Sequence, residues 1–255
     1  MIRKLKEHQF LFEELVKRDF KKKYKRTIFG MFWSILSPLS MLCVLAVIFG
    51  HLFGRSIPHY LIYLFSGQVI FNYYIESTNG GMSALTGNAN IFTKINVPKY
   101  LFLFSKNVSS LINFFIILCI YFLFVAIEGL PFTWKFVMLI YPIGCLILIN
   151  LGMGLILSAL YIFFRDVEYL YRIFTQIVMY GSAIFYSIDI LPTNLQLLFY
   201  CNPIYVCITY FRSIVIDAVI PPVWLHILLA LYTLVIVSIG CWMYKKYNYK
   251  FLYYV

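Results

Sequence analysis

The sequence predicts an all-α polytopic membrane protein: six transmembrane helices, an N-terminal amphipathic interface helix, and short re-entrant helices between spans five and six. Three observations predict it. Hydrophobic residues fill 62% of the 255 positions and charged residues only 12%, about half the charged share of a soluble domain, which leaves too little polar cover for a water-soluble globule. Charge-free runs recur at the length that crosses a bilayer, roughly 20 apolar residues for 30 Å of hydrocarbon. Lys and Arg, finally, gather on alternate loops.

Residues 1–26 make the interface segment. Between Leu5 and Tyr24, the side chains of Leu5, Phe12, Leu15, Val16 and Phe20 fall on one side, and Lys17, Arg18 and Lys21 to Lys23 widen the other. A helix of that kind lies in the headgroup plane. It serves as a plain anchor, as a collar around a docking site, or as both. Residues 27–186 hold spans one to five. Thr27–Gly54, Asn107–Ile127 and Phe136–Phe164 carry no charge, Tyr60–Met82 is interrupted by Glu76, and Ile173–Ile188 is short. Residues 187–222 are an outer segment, and residues 223–255 hold span six, within the charge-free run Ala218–Tyr244, and a tail.

With six spans, one side receives ten Lys and Arg before Thr27, three from Leu85 to Lys106, two at Arg165 and Arg172, and three after Tyr244, eighteen in all. The other side keeps three, Arg55, Lys135 and Arg212. Cytoplasmic loops carry such an excess, so both termini are expected inside. Five spans, the main competitor, would scramble the asymmetry. The net charge of +11 therefore reports topology and contact with anionic membrane lipids, and no nucleic acid is expected as a partner.

Span one opens on Phe29-Gly30-Met31-Phe32-Trp33 and contains Pro38, an aromatic belt followed by a break that neighbouring helices can tolerate. Span two is polar, with Ser66, Gly67, Gln68, Asn72, Glu76, Ser77, Thr78 and Asn79, and suits a bundle interior or a wet cavity. Tyr63, Asn72, Tyr73, Tyr74 and Glu76 are the candidates to line a channel, because tyrosine offers a flat apolar face with a hydrogen-bonding tip. Glu76 fits a structural ion pair equally well. The stretch Leu85–Lys106 is too long and too mixed for a simple turn, and Pro98 fits the first turn of a new helix. It is either a solvated loop or a short helix that receives a partner. In Ser187–Pro222 the apolar pieces are too short to span and too apolar for a solvated loop, which fits re-entrant or interfacial helices.

No catalytic constellation is present. The sequence has no G-x-x-x-x-G-K-[ST] phosphate loop, so no ATPase of that type is expected in this chain. The four histidines lack metal-ligand spacing, and no metal site is expected. Six cysteines are scattered; Cys201 and Cys207 share the outer segment and could pair. A stand-alone channel or secondary transporter would need intramembrane charges beyond Glu76. A membrane-embedded transferase would need clustered acids, for which Asp166 and Glu168 are the nearest pair.

Several pieces resemble one family along essentially the whole length: Tyr24-Lys25-Arg26 with Gly30, Trp33 and Pro38; Lys94-Ile95-Asn96-Val97-Pro98; Phe164-Arg165-Asp166-Val167; and Asn202-Pro203 followed by Arg212. The chain resembles the permease subunits of bacterial ABC transporters that export lipid-linked polysaccharides, namely O-antigen, capsule, teichoic acid and rhamnan. The resemblance implies a second copy of the chain and two copies of a separate ATPase subunit, which would bind the ATP and Mg; no cofactor is implied in this chain. It implies a coupling helix at Thr93, Lys94, Ile95, Asn96, Val97, Pro98, Lys99 and Tyr100, seated in that ATPase. Lys23, Lys25 and Arg26 would meet the diphosphate of a polyprenyl-linked glycan. An outer gate would include Asp189, Pro192, Asn202, Pro203 and Arg212, in the cytoplasmic membrane of a bacterium. A drug or a small lipid is the alternative cargo.

Overall fold

The computed structural model describes residues 9–24, 30–54, 56–95, 97–252 and 254, with side chains left aside at 22–24, 31 and 252. Among these residues the regular elements are all helical: α1 Gln9–Tyr24, α2 Trp33–Phe53, α3 Tyr60–Met82, α4 Ala89–Phe92, α5 Tyr100–Ile127, α6 Ile140–Phe163, α7 Val167–Tyr180, α8 Thr193–Phe199, α9 Pro203–Val215 and α10 Val223–Tyr247. Short 3-10 turns lead into α2 at Gly30–Phe32 and into α6 at Trp134–Leu139.

Four segments are long and apolar enough to cross a membrane: Trp33–Phe53, Tyr100–Ile127, Trp134–Phe163 and Val223–Tyr247. They coincide with the four cleanest charge-free runs because excluding charge is what lipid demands of a helix. The run that begins at Ile173 behaves differently. Its helix, α7, has 14 residues and ends at Tyr180, about 21 Å at 1.5 Å per residue, and residues 181–187 turn away. Ala183 in that turn adopts a left-handed backbone (φ 46°), a conformation that costs an L-residue about 1 kcal/mol and needs support from its surroundings.

α3 is the axis of the bundle. Sixteen of its 23 residues are buried, and it packs against α2, α5, α6 and α9. Burial on nearly all sides explains its polarity, since its Ser, Thr, Gln and Asn meet other helices rather than lipid. Close crossings are made by glycines. A Cβ at Gly81 would lie 2.8 Å from the Cα of Gly154, and one at Gly240 would lie 2.6 Å from the carbonyl oxygen of Gly152. Without side chains there, α3 meets α6 and α6 meets α10 at backbone distance.

One face of the N-terminal helix packs on the bundle. Leu15 on α1 is 3% exposed and joins Leu85, Phe92, Phe102 and Phe251 in a second apolar cluster. Asp19, also buried, accepts from Arg18 (Nη2–Oδ1 2.8 Å) and pairs with Lys106 of α5 (3.1 Å). Leu5 lies outside the described residues. Asp19→Ala leaves Lys106 facing a buried site without its counter-ion, an expected loss of about 2 kcal/mol. Faster proteolytic release of the segment before Thr27 would register it; unchanged release would mean that packing of Leu15 alone holds α1.

Candidate transport groove, docking segment and outer cavity

A groove of about 630 Å³ runs between α2, α3 and α5. Each helix contributes one face at helical spacing: Trp33, Ser34, Ser37, Pro38 and Met41 from α2; Phe65, Gln68, Val69, Asn72, Tyr73 and Glu76 from α3; Ser110, Asn113, Phe114 and Ile117 from α5. The wall is apolar, with polar groups held in defined places. Gln68 donates to the Pro38 carbonyl (3.4 Å), Asn113 donates to Glu76 (2.9 Å), and Tyr73 reaches Asn107 (3.4 Å), which donates to Ser77 (2.7 Å). The Tyr73 and Phe114 rings lie 4.6 Å apart. Such a surface presents aromatic rings and fixed amides together, and holds no cluster of acids fit for catalysis among the described residues.

Of the five channel candidates, Asn72, Tyr73 and Glu76 line this groove. Tyr63 and Tyr74 do not. Tyr74 is 3% exposed on the opposite side of α3, near Tyr171, whose hydroxyl donates to Thr78 (2.6 Å). Tyr63 stands at the start of α3, its hydroxyl donating to the carbonyl of Tyr186 (2.7 Å). Gln68, Ser37, Ser110 and Asn113 line the groove as well, beyond the five candidates that the sequence names. Their signal was present as polar side chains three or four apart within otherwise apolar runs.

Between the end of α3 and the start of α5 lies the candidate docking segment, the stretch that the resemblance marks for coupling. The short helix lies at Ala89–Phe92, four residues earlier than the Thr93–Tyr100 helix that the resemblance implies. Thr93, Lys94 and Ile95 form turns, Asn96 lies outside the described residues, and α5 starts at Tyr100, two residues after Pro98. Pro98 thus sits before the helix, and its carbonyl accepts from Leu101 N–H (3.1 Å). The tip projects, with Ile95 52% exposed, while Phe92, Val97 and Lys99 face inward. Lys99 donates to the carbonyl of Asn248 (2.6 Å) and sits 5.8 Å from the Phe92 ring and 5.6 Å from the Phe251 ring. Burial pushes its ammonium pKa down. Arg18 of α1 donates to Asn88 (2.7 Å), so α1, the docking segment and the tail are tied at one end. Of Lys23 only the backbone is described; Lys25 and Arg26 lie outside the described residues.

The candidate outer segment, residues 187–222, is built on Asn202 and Arg212. Asn202 caps α9 by accepting from Ile204 N–H (3.0 Å), and its amide donates to Gly181 O and Ser182 Oγ (both 2.9 Å). Pro203 follows at the first helical position, where no N–H is needed. Arg212 is 6% exposed. Its guanidinium lies 3.4 Å from the Tyr63 ring centroid and donates to Ala183 O (2.9 Å), Ile184 O (3.2 Å), Tyr63 O (3.0 Å) and Ser66 Oγ (3.2 Å). It therefore fastens the strained 181–187 turn to α3 and α9. Asp189 and Arg212 line one outer cavity; Pro192, Asn202 and Pro203 lie away from it. Cys201 is exposed and Cys207 buried, and both are free.

The sequence model of the ABC-2 type transporter family matches residues 11–216, from the first turn of α1 to just past the end of α9. This chain belongs to the ABC-2 type transporter family. The ABC-2 chain is 25% identical over 247 residues to an O-antigen export system permease protein of Klebsiella pneumoniae, covering 95% of each. A Myxococcus xanthus protein of the same description is 24% identical over 225 residues, 87% of this chain and 86% of the relative. A polysialic acid transport protein of Escherichia coli is 23% identical over 239 residues, 91% and 92%. The match thus takes in the groove, the docking segment and Arg212 of the ABC-2 chain alike.

Proposed function

We propose that this chain is the transmembrane subunit of an ATP-driven exporter that moves a polyprenyl-diphosphate-linked polysaccharide across the bacterial cytoplasmic membrane. The carrying observation is the groove: an aromatic and amide-lined trough of about 630 Å³, in a chain whose full-length relatives are named for O-antigen and polysialic acid transport. Aromatic faces suit the C–H surface of sugars, and fixed amides suit their hydroxyls. In this reading the chain crosses the membrane six times with both termini in the cytoplasm. α3 and the segment from α7 to residue 187 supply the two crossings that hydropathy alone does not mark. Two copies face each other and two ATPase subunits, which hold ATP and Mg, seat on Thr93 to Tyr100. Lys23, Lys25 and Arg26 receive the diphosphate, and Asp189 to Asp217 close the outer end.

The exposed tip of the docking segment supports the coupling role. Lys94→Glu reverses a charge that makes no internal contact among the described residues, so the fold is expected to survive while export falls at least about ten-fold. In cells that depend on this chain and its matching ATPase, lipid-linked glycan should then accumulate on the inner side. Normal surface glycan with Lys94→Glu would overturn the coupling assignment, and glycan export unaffected by removal of the chain would overturn the function.

A further inference from the structure

The outer cavity measures about 350 Å³ and lies between the start of α3, the turn at Ser187–Asp189, and α9. Tyrosines 63, 200 and 205, the carboxylates of Asp189 and Asp217, and Arg212 line it. A guanidinium carries five N–H donors. Four hydrogen bonds occupy Nε, Nη1 and both positions on Nη2, which leaves one N–H on Nη1. No ion pair among the described residues involves Arg212, Asp189 or Asp217. Asp189 accepts from the Ser187 hydroxyl (2.5 Å), and Asp217 is exposed, its carboxylate without a hydrogen bond among the described residues.

This set of charges disfavours an anion. Phosphate would meet two carboxylates, and the guanidinium at the wall offsets only part of their charge. A neutral ring bearing several hydroxyls suits every group at once. Carboxylates accept from hydroxyls, the remaining N–H donates to an oxygen, and the partly exposed Tyr63 and Tyr200 offer ring surface to C–H groups. The volume is at the small end of ligand pockets and fits one or two six-membered rings.

We propose that this outer cavity binds a neutral, pyranose-sized unit of the exported glycan, holding the chain against back-sliding between strokes. The proposal rests on the exporter reading, and its test separates the two. In exporting cells that contain the complete transporter, a benzophenone amino acid is placed at Ser213 of the cavity, at Ser37 of the groove, or at Leu234, which is exposed on α10. After irradiation, glycan bound to the protein is read by periodate oxidation and hydrazide labelling. Adducts are expected at Ser213 and Ser37 and not at Leu234. Adding Asp189→Asn together with Asp217→Asn should lower the Ser213 adduct about five-fold or more relative to the Ser37 adduct measured in the same cells.

Adduct at Ser37 with none at Ser213, or a Ser213 adduct indifferent to both aspartates, overturns the cavity as a binding site while the exporter reading stands. No adduct at Ser37 or Ser213 overturns both. Ile216, on the same wall, provides a second probe position read in the same way if the Ser213 probe lowers the yield of folded protein.

Discussion

Gly240→Val is expected to separate α6 from α10, lowering the thermal midpoint in detergent by roughly 10 °C or preventing recovery of monodisperse protein. A Cβ at this position lies 2.6 Å from the Gly152 carbonyl oxygen and 3.2 Å from its Cα. Both are backbone atoms of a helix and have no rotamer by which to move aside. Overpacking of this kind costs about 3 kcal/mol, and each kcal/mol moves the midpoint of a chain this size by about 2–4 °C. Gly240→Ala should fall between wild type and valine. Ser238→Val, exposed on the same helix, should be silent. Equal losses at 238 and 240 would show that added bulk on α10, and not the glycine crossing, sets the deficit.

Arg212→Leu is expected to release the 181–187 turn. The Ile184 carbonyl would lose its guanidinium donor at a cost of about 1–3 kcal/mol before relaxation, while the Tyr63 carbonyl would keep the Ser66 hydroxyl (2.7 Å) and the Ala183 carbonyl only the longer Tyr63 hydroxyl (3.3 Å). The left-handed backbone of Ala183 would lose the contact that offsets its strain. Amides of 181–187 should exchange with deuterium at least about ten-fold faster, with a midpoint drop comparable to that of Gly240→Val. Arg212→Lys should rank between, because an ammonium has three donors and no planar fork to reach acceptors on α3 and the turn together. Protection of 181–187 that survives Arg212→Leu would show that Asn202, not the guanidinium, fastens the turn.

The parts of the fold that face lipid were legible in the sequence, because lipid imposes a one-letter rule: no charge. The runs Thr27–Gly54, Asn107–Ile127, Phe136–Phe164 and Ala218–Tyr244 became α2, α5, α6 with its lead-in turn, and α10. Asn202-Pro203 was legible for a local reason, as an Asn cap before a proline start. Faces of α3 were harder to read, because a helix buried on all sides shows no amphipathic stripe. Spacing still held the answer. At about 100° per residue, Tyr63 and Tyr74 stand roughly 180° and 200° round from Asn72, whereas Gln68 and Glu76 stand about 40° from it and Tyr73 about 100°, at the edge of the same face. The position of the short helix Ala89–Phe92 was not legible, because Pro98 marks a helix start without saying whether it lies inside the first turn or just before it. The ties of Lys99 to Asn248 and of Asp19 to Lys106 join residues far apart in sequence, and no local pattern encodes them.

The polarity of α3 also bears on how the protein is made. In the proposed six-span topology, α3 leaves the ribosome before α5 and α6, the helices that will surround it. Gln68, Asn72 and Glu76 would face hydrocarbon if it moved into lipid alone. Its insertion is therefore a collective event: the second crossing must wait at the insertion machinery, paired with α2, until its later neighbours arrive. Truncated nascent chains that end before α5 would then fall to quality-control proteases, whereas those extending through α6 would be spared.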